Sequence, residues 1–163
     1  MRVLGIDPGL NITGYSILEV HDRKIKLVEA GVVRTNPHAE MGERLREIGV
    51  EIGRLIAQFS PEALAVEELY SHYSHPKTAI IMGHARGVIF NKAAEAGLAI
   101  FPYASTRIKK SLTGNGHASK AQVQRMIRST LNLIEVPEPP DVADALAIAL
   151  CHCRSLEHQE VLS

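Results

Sequence analysis

Hydrophobic spacing first changes period near residue 41, and that change limits the folds open to this chain. Across Met41–Phe59, residues Leu45, Ile48, Ile52, Leu55, Ile56 and Phe59 recur three and four apart, the spacing of a helix with one apolar face. Upstream the pattern is that of strands. Arg2–Asp7 is a short apolar run closed by the turn dipeptide Pro8-Gly9. Residues 13–20 and 24–33 are β-branched runs parted by polar His21-Asp22-Arg23, which predicts a hairpin. Downstream, helix and short apolar strand alternate. Ala63–Glu67 has the pattern of a buried parallel strand, residues 76–96 form a helix stopped by Gly97, and residues 98–102 form another strand. Helices follow at 105–112 and 119–131, joined by the glycine-rich Thr113-Gly114-Asn115-Gly116-His117, and a last one runs from about 141 to 156. A meander followed by such alternation implies an α/β chain with a mixed sheet flanked by helices. No repeat, low-complexity tract or linker divides the 163 residues. One domain is expected over residues 1–156, with a short tail at 157–163.

Apolar residues, at 45%, suffice for a core, and a charged fraction of 22% excludes a disordered chain. No apolar run approaches the roughly 18–20 residues a bilayer requires, so no membrane association is expected. The first seven residues place an acid where a signal peptide needs its apolar stretch, which predicts a cytoplasmic protein. Cys151 and Cys153 are too close for an ordinary disulfide and too few for a zinc cage; a packed helix end is the expected setting.

The net charge of zero conceals a segregation. No acid lies between Glu95 and Glu135, whereas Arg107, Lys109, Lys110, Lys120, Arg125 and Arg128 do. Such a cationic stretch suits a polyanion, although a solvated basic face has the same composition. Four acids elsewhere stand out. Asp7 closes the first strand, and ligands in open α/β sheets collect beyond strand carboxyl ends, but a turn-forming Asp is also common there. Glu67 closes the second apolar strand, with Ala65 on its face and Leu64 and Val66 on the other; periodicity does not choose between Glu67 and Glu68. Asp141 and Asp144 share one helical face, where capping explains one acid better than two. Together the four offer an all-oxygen ligand set, which hard cations such as Mg²⁺ prefer. Two such ions can activate a water and stabilise a leaving oxygen in phosphodiester hydrolysis.

Several blocks resemble the RuvC family of Holliday-junction resolvases. They are Gly5-Ile6-Asp7-Pro8-Gly9 with Thr13-Gly14-Tyr15, Val66-Glu67-Glu68-Leu69-Tyr70, Gly83-His84-Ala85-Arg86-Gly87-Val88, the basic stretch from Arg107 to Gln124, and Asp141-Val142-Ala143-Asp144-Ala145-Leu146-Ala147-Ile148-Ala149. They lie in family order over nearly the whole chain. The resemblance implies an RNase H-like fold with a mixed five-stranded sheet, a homodimer, and paired symmetric nicks in four-way junction DNA during recombination and repair. It implies Mg²⁺ or Mn²⁺, two ions per site, and a branch-migration motor as partner. Carried over by position, Asp7, Glu67, Asp141 and Asp144 are catalytic metal ligands, which selects Glu67 over Glu68. Lys109 and Lys120 fall on DNA-contacting lysines, and Tyr70 on an aromatic that wedges into the junction. The resemblance further implies that the dimer forms about the helix at 76–96, whose small Gly83 and Gly87 permit close contact. The chain departs from the family at Glu68, often Gln, and in the His-rich Ser71-His72-Tyr73-Ser74-His75. His72, His75, His117 and His152 read as ordinary surface or satisfied histidines; His117, in the glycine-rich loop, is the one facing the proposed DNA side. The alternatives are an RNase H-like nuclease of other nucleic-acid structures and a junction-binding module without catalysis.

Overall fold

The structure is a computed structural model that describes residues 1–69 and 76–162, with side chains as far as residue 156. Its first strand, β1 (Arg2–Asp7), pairs antiparallel with β2 (Ile12–His21), and β2 pairs antiparallel with β3 (Lys24–Arg34). Asp22 and Arg23 form the hairpin turn with left-handed backbone, φ 48° and 61°, the conformation two-residue hairpins require. The amphipathic stretch is α1 (Met41–Phe59), closed by Ser60 at φ 46°, whose N–H bonds the Ile56 carbonyl. β4 (Ala63–Glu67), α2 (Pro76–Glu95), β5 (Ala99–Tyr103), α3 (Ser105–Thr113), α4 (Lys120–Thr130) and α5 (Pro140–Leu162) complete the chain.

The sheet order is β3-β2-β1-β4-β5, with β1, β4 and β5 parallel. Pro102 sits in β5, an edge strand, where a missing N–H is tolerated. One face of the sheet presents Leu4, Ile6, Ile17 and Leu64 to Ile48 and Ile52 of α1 and Ala85 and Ile89 of α2. The other presents Val3, Leu18 and Ala65 to α3, α4 and the wholly buried middle of α5. Side-chain alternation therefore sorts each strand between two cores, giving three layers. Among the described residues no helix is long and apolar enough to cross a membrane.

Several boundaries differ from the sequence expectation by a residue, and one by six. The strand after Gly97 starts at Ala99, because the Leu98 N–H is engaged by the Ala93 carbonyl at 2.9 Å as the helix ends. It reaches Tyr103, whose carbonyl accepts from the Glu68 N–H at 2.9 Å. α5 continues to Leu162 instead of ending near 156, since residues 157–162 contain neither glycine nor proline to stop it. Cys151, His152 and Cys153 are buried in α5, as expected of a packed helix, and no disulfide joins the two cysteines. The His152 Nδ1 lies 2.7 Å from the Tyr103 hydroxyl.

Candidate active site

Ile6 of β1 stands opposite Val66 of β4 in parallel register, so Asp7 and Glu67 follow side by side at the carboxyl ends of adjacent strands. The alternation that sends Leu4, Ile6 and Leu64 to the α1–α2 core sends Val3, Ala65, and hence Asp7 and Glu67, toward α5. Glu68 stands beyond the strand end and is exposed. Geometry thus separates the two glutamates that periodicity could not.

The third and fourth acids arrive on α5, and small residues let that helix come close enough. A Cβ on Gly14 would lie 2.0 Å from the Asp141 carbonyl oxygen, and one on Gly5 would lie 2.5 Å from that of Ala145 and 2.7 Å from the Ala149 Cβ. Between them the Ser16 hydroxyl donates to the Ala145 carbonyl at 3.0 Å. Because Gly14 is the register partner of Asp7, this contact fixes the start of α5 beside the end of β1.

The consequence is electrostatic. The Asp7 carboxyl is pushed from its ordinary 3.8 to about 7, by burial first and then by the charges of Asp144, Glu67 and Asp141; Lys120 opposes them. Glu67 is also raised, by burial and by Asp144, while a hydrogen bond from the Ser105 hydroxyl and the charges of Lys109 and Arg86 hold it down. Asp7 and Glu67 thus lie within the field of the α5 aspartates. Among the described residues, however, no three His, Cys, Asp or Glu side chains are already arranged as a cation cage. Lys120 draws on one of them, its Nζ standing 3.5 Å from the Asp144 Oδ2.

The two lysines named from the sequence both reach this group. Lys120 is the first residue of α4, set there by a capping box in which Ser119 and Gln122 exchange hydrogen bonds of 3.2 and 2.8 Å. Lys109 acts on Glu67 from α3. Tyr70, His72 and His75 lie outside the described residues. His117 is exposed in the loop before α4. Arg107, from the basic stretch, is engaged elsewhere: its guanidinium lies 4.9 Å from the Tyr103 ring centre and 3.4 Å from the Ser155 hydroxyl.

Two residues escaped the sequence reading. Arg86 donates to the Glu67 carbonyl while its guanidinium lies 4.6 Å from the Phe90 ring centre. Ser105 opens α3 and reaches the Glu67 carboxylate. The one available signal was Arg86 four residues before Phe90, a spacing that stacks the two on a helix.

A mixed five-stranded sheet between helical layers, with acids at its parallel strand ends beside two more on a packed helix, defines the RNase H-like class. The profile of the family described as "Crossover junction endodeoxyribonuclease RuvC" matches residues 3–152. A protein of that name from Rhodopirellula baltica is 50% identical over 149 residues, covering 91% of this chain and 84% of its own. A RuvC structure from Thermus thermophilus superposes with a TM-score of 0.91 at 37% identity, covering 98% of this chain and 97% of that one. The same protein in complex with a Holliday junction substrate gives 0.91 at 37%, covering 98% and 96%. The chain belongs to the RuvC family of crossover junction endodeoxyribonucleases.

Proposed function

We propose that this protein resolves four-way DNA junctions by hydrolysing phosphodiester bonds at paired, symmetric positions during recombination and repair, through the site formed by Asp7, Glu67, Asp141 and Asp144. The carrying observation is the burial of Asp7 beside Asp144, Glu67 and Asp141, which together raise its carboxyl to about 7. Their oxygens fit a hard divalent cation, and the negative charges that add to burial in raising Asp7 are ones such an ion relieves. The four residues would hold Mg²⁺ or Mn²⁺, two ions per site, which when bound supply an activated water and charge stabilisation at the leaving oxygen.

The remaining work belongs to the chain itself. Ser105 and Arg86 orient Glu67 by gripping its carboxylate and its carbonyl. Lys120 lowers the Asp7 pKa and so favours the ionised carboxylate. Lys120 and Lys109, point charges at the rim of the acid group, suit the phosphates flanking the cut. Tyr70, following β4, is the aromatic for the junction's exposed bases, worth about 1–3 kcal/mol if it stacks.

Symmetric nicking needs two sites, which a two-fold homodimer supplies. α2 supports that assembly: Ile80 is 60% exposed, and a Cβ on Gly83 or Gly87 would meet nothing within 4 Å. The assignment is completed by a branch-migration motor as partner, cytoplasmic location and a single nuclease domain over residues 1–156. The test is cleavage of a synthetic four-way junction in Mg²⁺ by wild type and Asp7→Asn, beside a linear duplex and an RNA–DNA hybrid. Junction-selective nicking lost in the variant is expected. Unimpaired cutting by the variant, or equal cutting of the linear duplex or the hybrid, contradicts the assignment.

A further inference from the structure

The longest strand of the sheet lies at its edge. β3 has 11 residues and, among the described residues, pairs only with β2. Between its residues 25–32 and the loop 131–139 runs an open groove of about 960 Å³. Ile25, Leu27 and Val32 from the strand, with Leu131, Leu133 and Val142 opposite, give it an apolar lining. Among the described residues no backbone hydrogen bond joins β3 to that loop, so the outer edge of the strand is unpaired. Natural sheets shorten or cover such edges, because a row of free N–H and C=O groups is a template for another strand.

The rim of the groove is acidic. Glu135 and Glu138 on the loop are exposed, as is Glu29, which stands on the opposite face of β3 with its register partner Ile17; none of the three forms a salt bridge among the described residues, and Lys26 is the one cation of the lining. That charge repels nucleic acid and favours a basic partner. Ile134, on the same loop, is 94% exposed. An edge with free backbone, an apolar floor and an acidic rim match one kind of ligand.

We infer that the groove between β3 and the loop 131–139 docks an extended basic–apolar peptide segment of a partner protein, which adds to the sheet as a sixth strand. Main-chain pairing supplies affinity, alternate apolar side chains fill the floor, the intervening lysines or arginines meet Glu29 on the opposite face, and basic residues flanking the apolar ones meet Glu135 and Glu138. The groove ends at Pro139 and Val142, which bracket Asp141, so a docked strand lies against the segment that sets the start of α5. The inference is independent of the nuclease assignment, since it uses none of the four acids.

The test uses the full-length protein and three synthetic peptides of about eight residues, the length that matches residues 25–32 at about 3.3 Å per residue. One alternates valine with lysine, one valine with glutamate, and the third is the lysine peptide N-methylated at alternate amides. Fluorescence anisotropy should show the lysine peptide binding at least about tenfold tighter than the glutamate peptide, as several weak surface ion pairs sum to that order. N-methylation should abolish binding, and Glu29→Lys with Glu135→Lys and Glu138→Lys should reverse the charge preference. Amide shifts on the lysine peptide should centre on β3. Equal binding of the N-methylated peptide, no preference between the charges, competition by a short DNA duplex, or β3 amide shifts that follow protein concentration without peptide, the mark of a second copy on that edge, would each overturn the proposal.

Discussion

Replacing Asp7 with asparagine should stabilise the metal-free protein while abolishing its cutting. The Asp7 carboxyl is held at about 7 against an ordinary 3.8, because the fold buries it among Asp144, Glu67 and Asp141. A group whose folded pKa lies above its unfolded one keeps its proton longer in the native state. Stability therefore falls as pH rises through the window from about 4 to about 7, and stays low above it. The full displacement corresponds to about 4 kcal/mol. Allowing for screening at a side chain that is not wholly buried, about 2–4 kcal/mol is expected at pH 8. Asparagine matches the neutral form in shape and never charges, so Asp7→Asn should exceed wild type by that amount at pH 8. At pH 4 the gap should shrink to under about 1 kcal/mol. Urea unfolding in EDTA at several pH values measures this directly. A variant no more stable than wild type at pH 8, or a gap independent of pH, would refute the burial of Asp7 among these acids.

Other consequences are as sharp. Divalent metal should bind less tightly below about pH 7, approaching tenfold per pH unit, because Asp7 must lose its proton first; titration calorimetry at pH 6 and 8 reads this. Gly14→Ala should cost about 3 kcal/mol or more and lower cutting, since its Cβ would lie 2.0 Å from the Asp141 carbonyl oxygen; unaltered unfolding would contradict the close packing of α5 on β2. Lys120→Ala should weaken junction binding and reduce the salt slope by about one counterion, measured by anisotropy from 50 to 200 mM salt. Arg86→Ala should lower kcat with little change in KM for the junction, as it removes the donor that steadies the Glu67 carbonyl; an effect confined to KM would assign Arg86 to DNA binding instead.

The fold was legible where local spacing and long-range packing agree. The apolar seam of α1 marks the face that Ile48 and Ile52 bury, and the alternation through Leu64, Ala65 and Val66 anticipates which side of the sheet Glu67 takes. Polar His21-Asp22-Arg23 foretold the hairpin through its turn chemistry. The end of α5 was not legible, because no stop signal lies between Leu156 and Leu162 and an early end was assumed. For the candidate site, the acids at strand ends and the paired aspartates showed in the sequence as candidates. Choosing Glu67 over Glu68 took the family resemblance, and in the structure the register with β1. Ser105 and Arg86 were invisible because their importance is relational: each matters through Glu67, 38 and 19 residues away in the chain. The small residues Gly5, Gly14 and Ser16 likewise showed no purpose until α5 was seen lying across them.

A crystal soaked in Mn²⁺ and measured at the manganese absorption edge addresses the four-acid site most directly. Anomalous density bounded by Asp7, Glu67, Asp141 and Asp144, with carboxylate oxygens at about 2.0–2.2 Å, is the expected result. Manganese bound at other surfaces while these four carboxylates stay bare would contradict it.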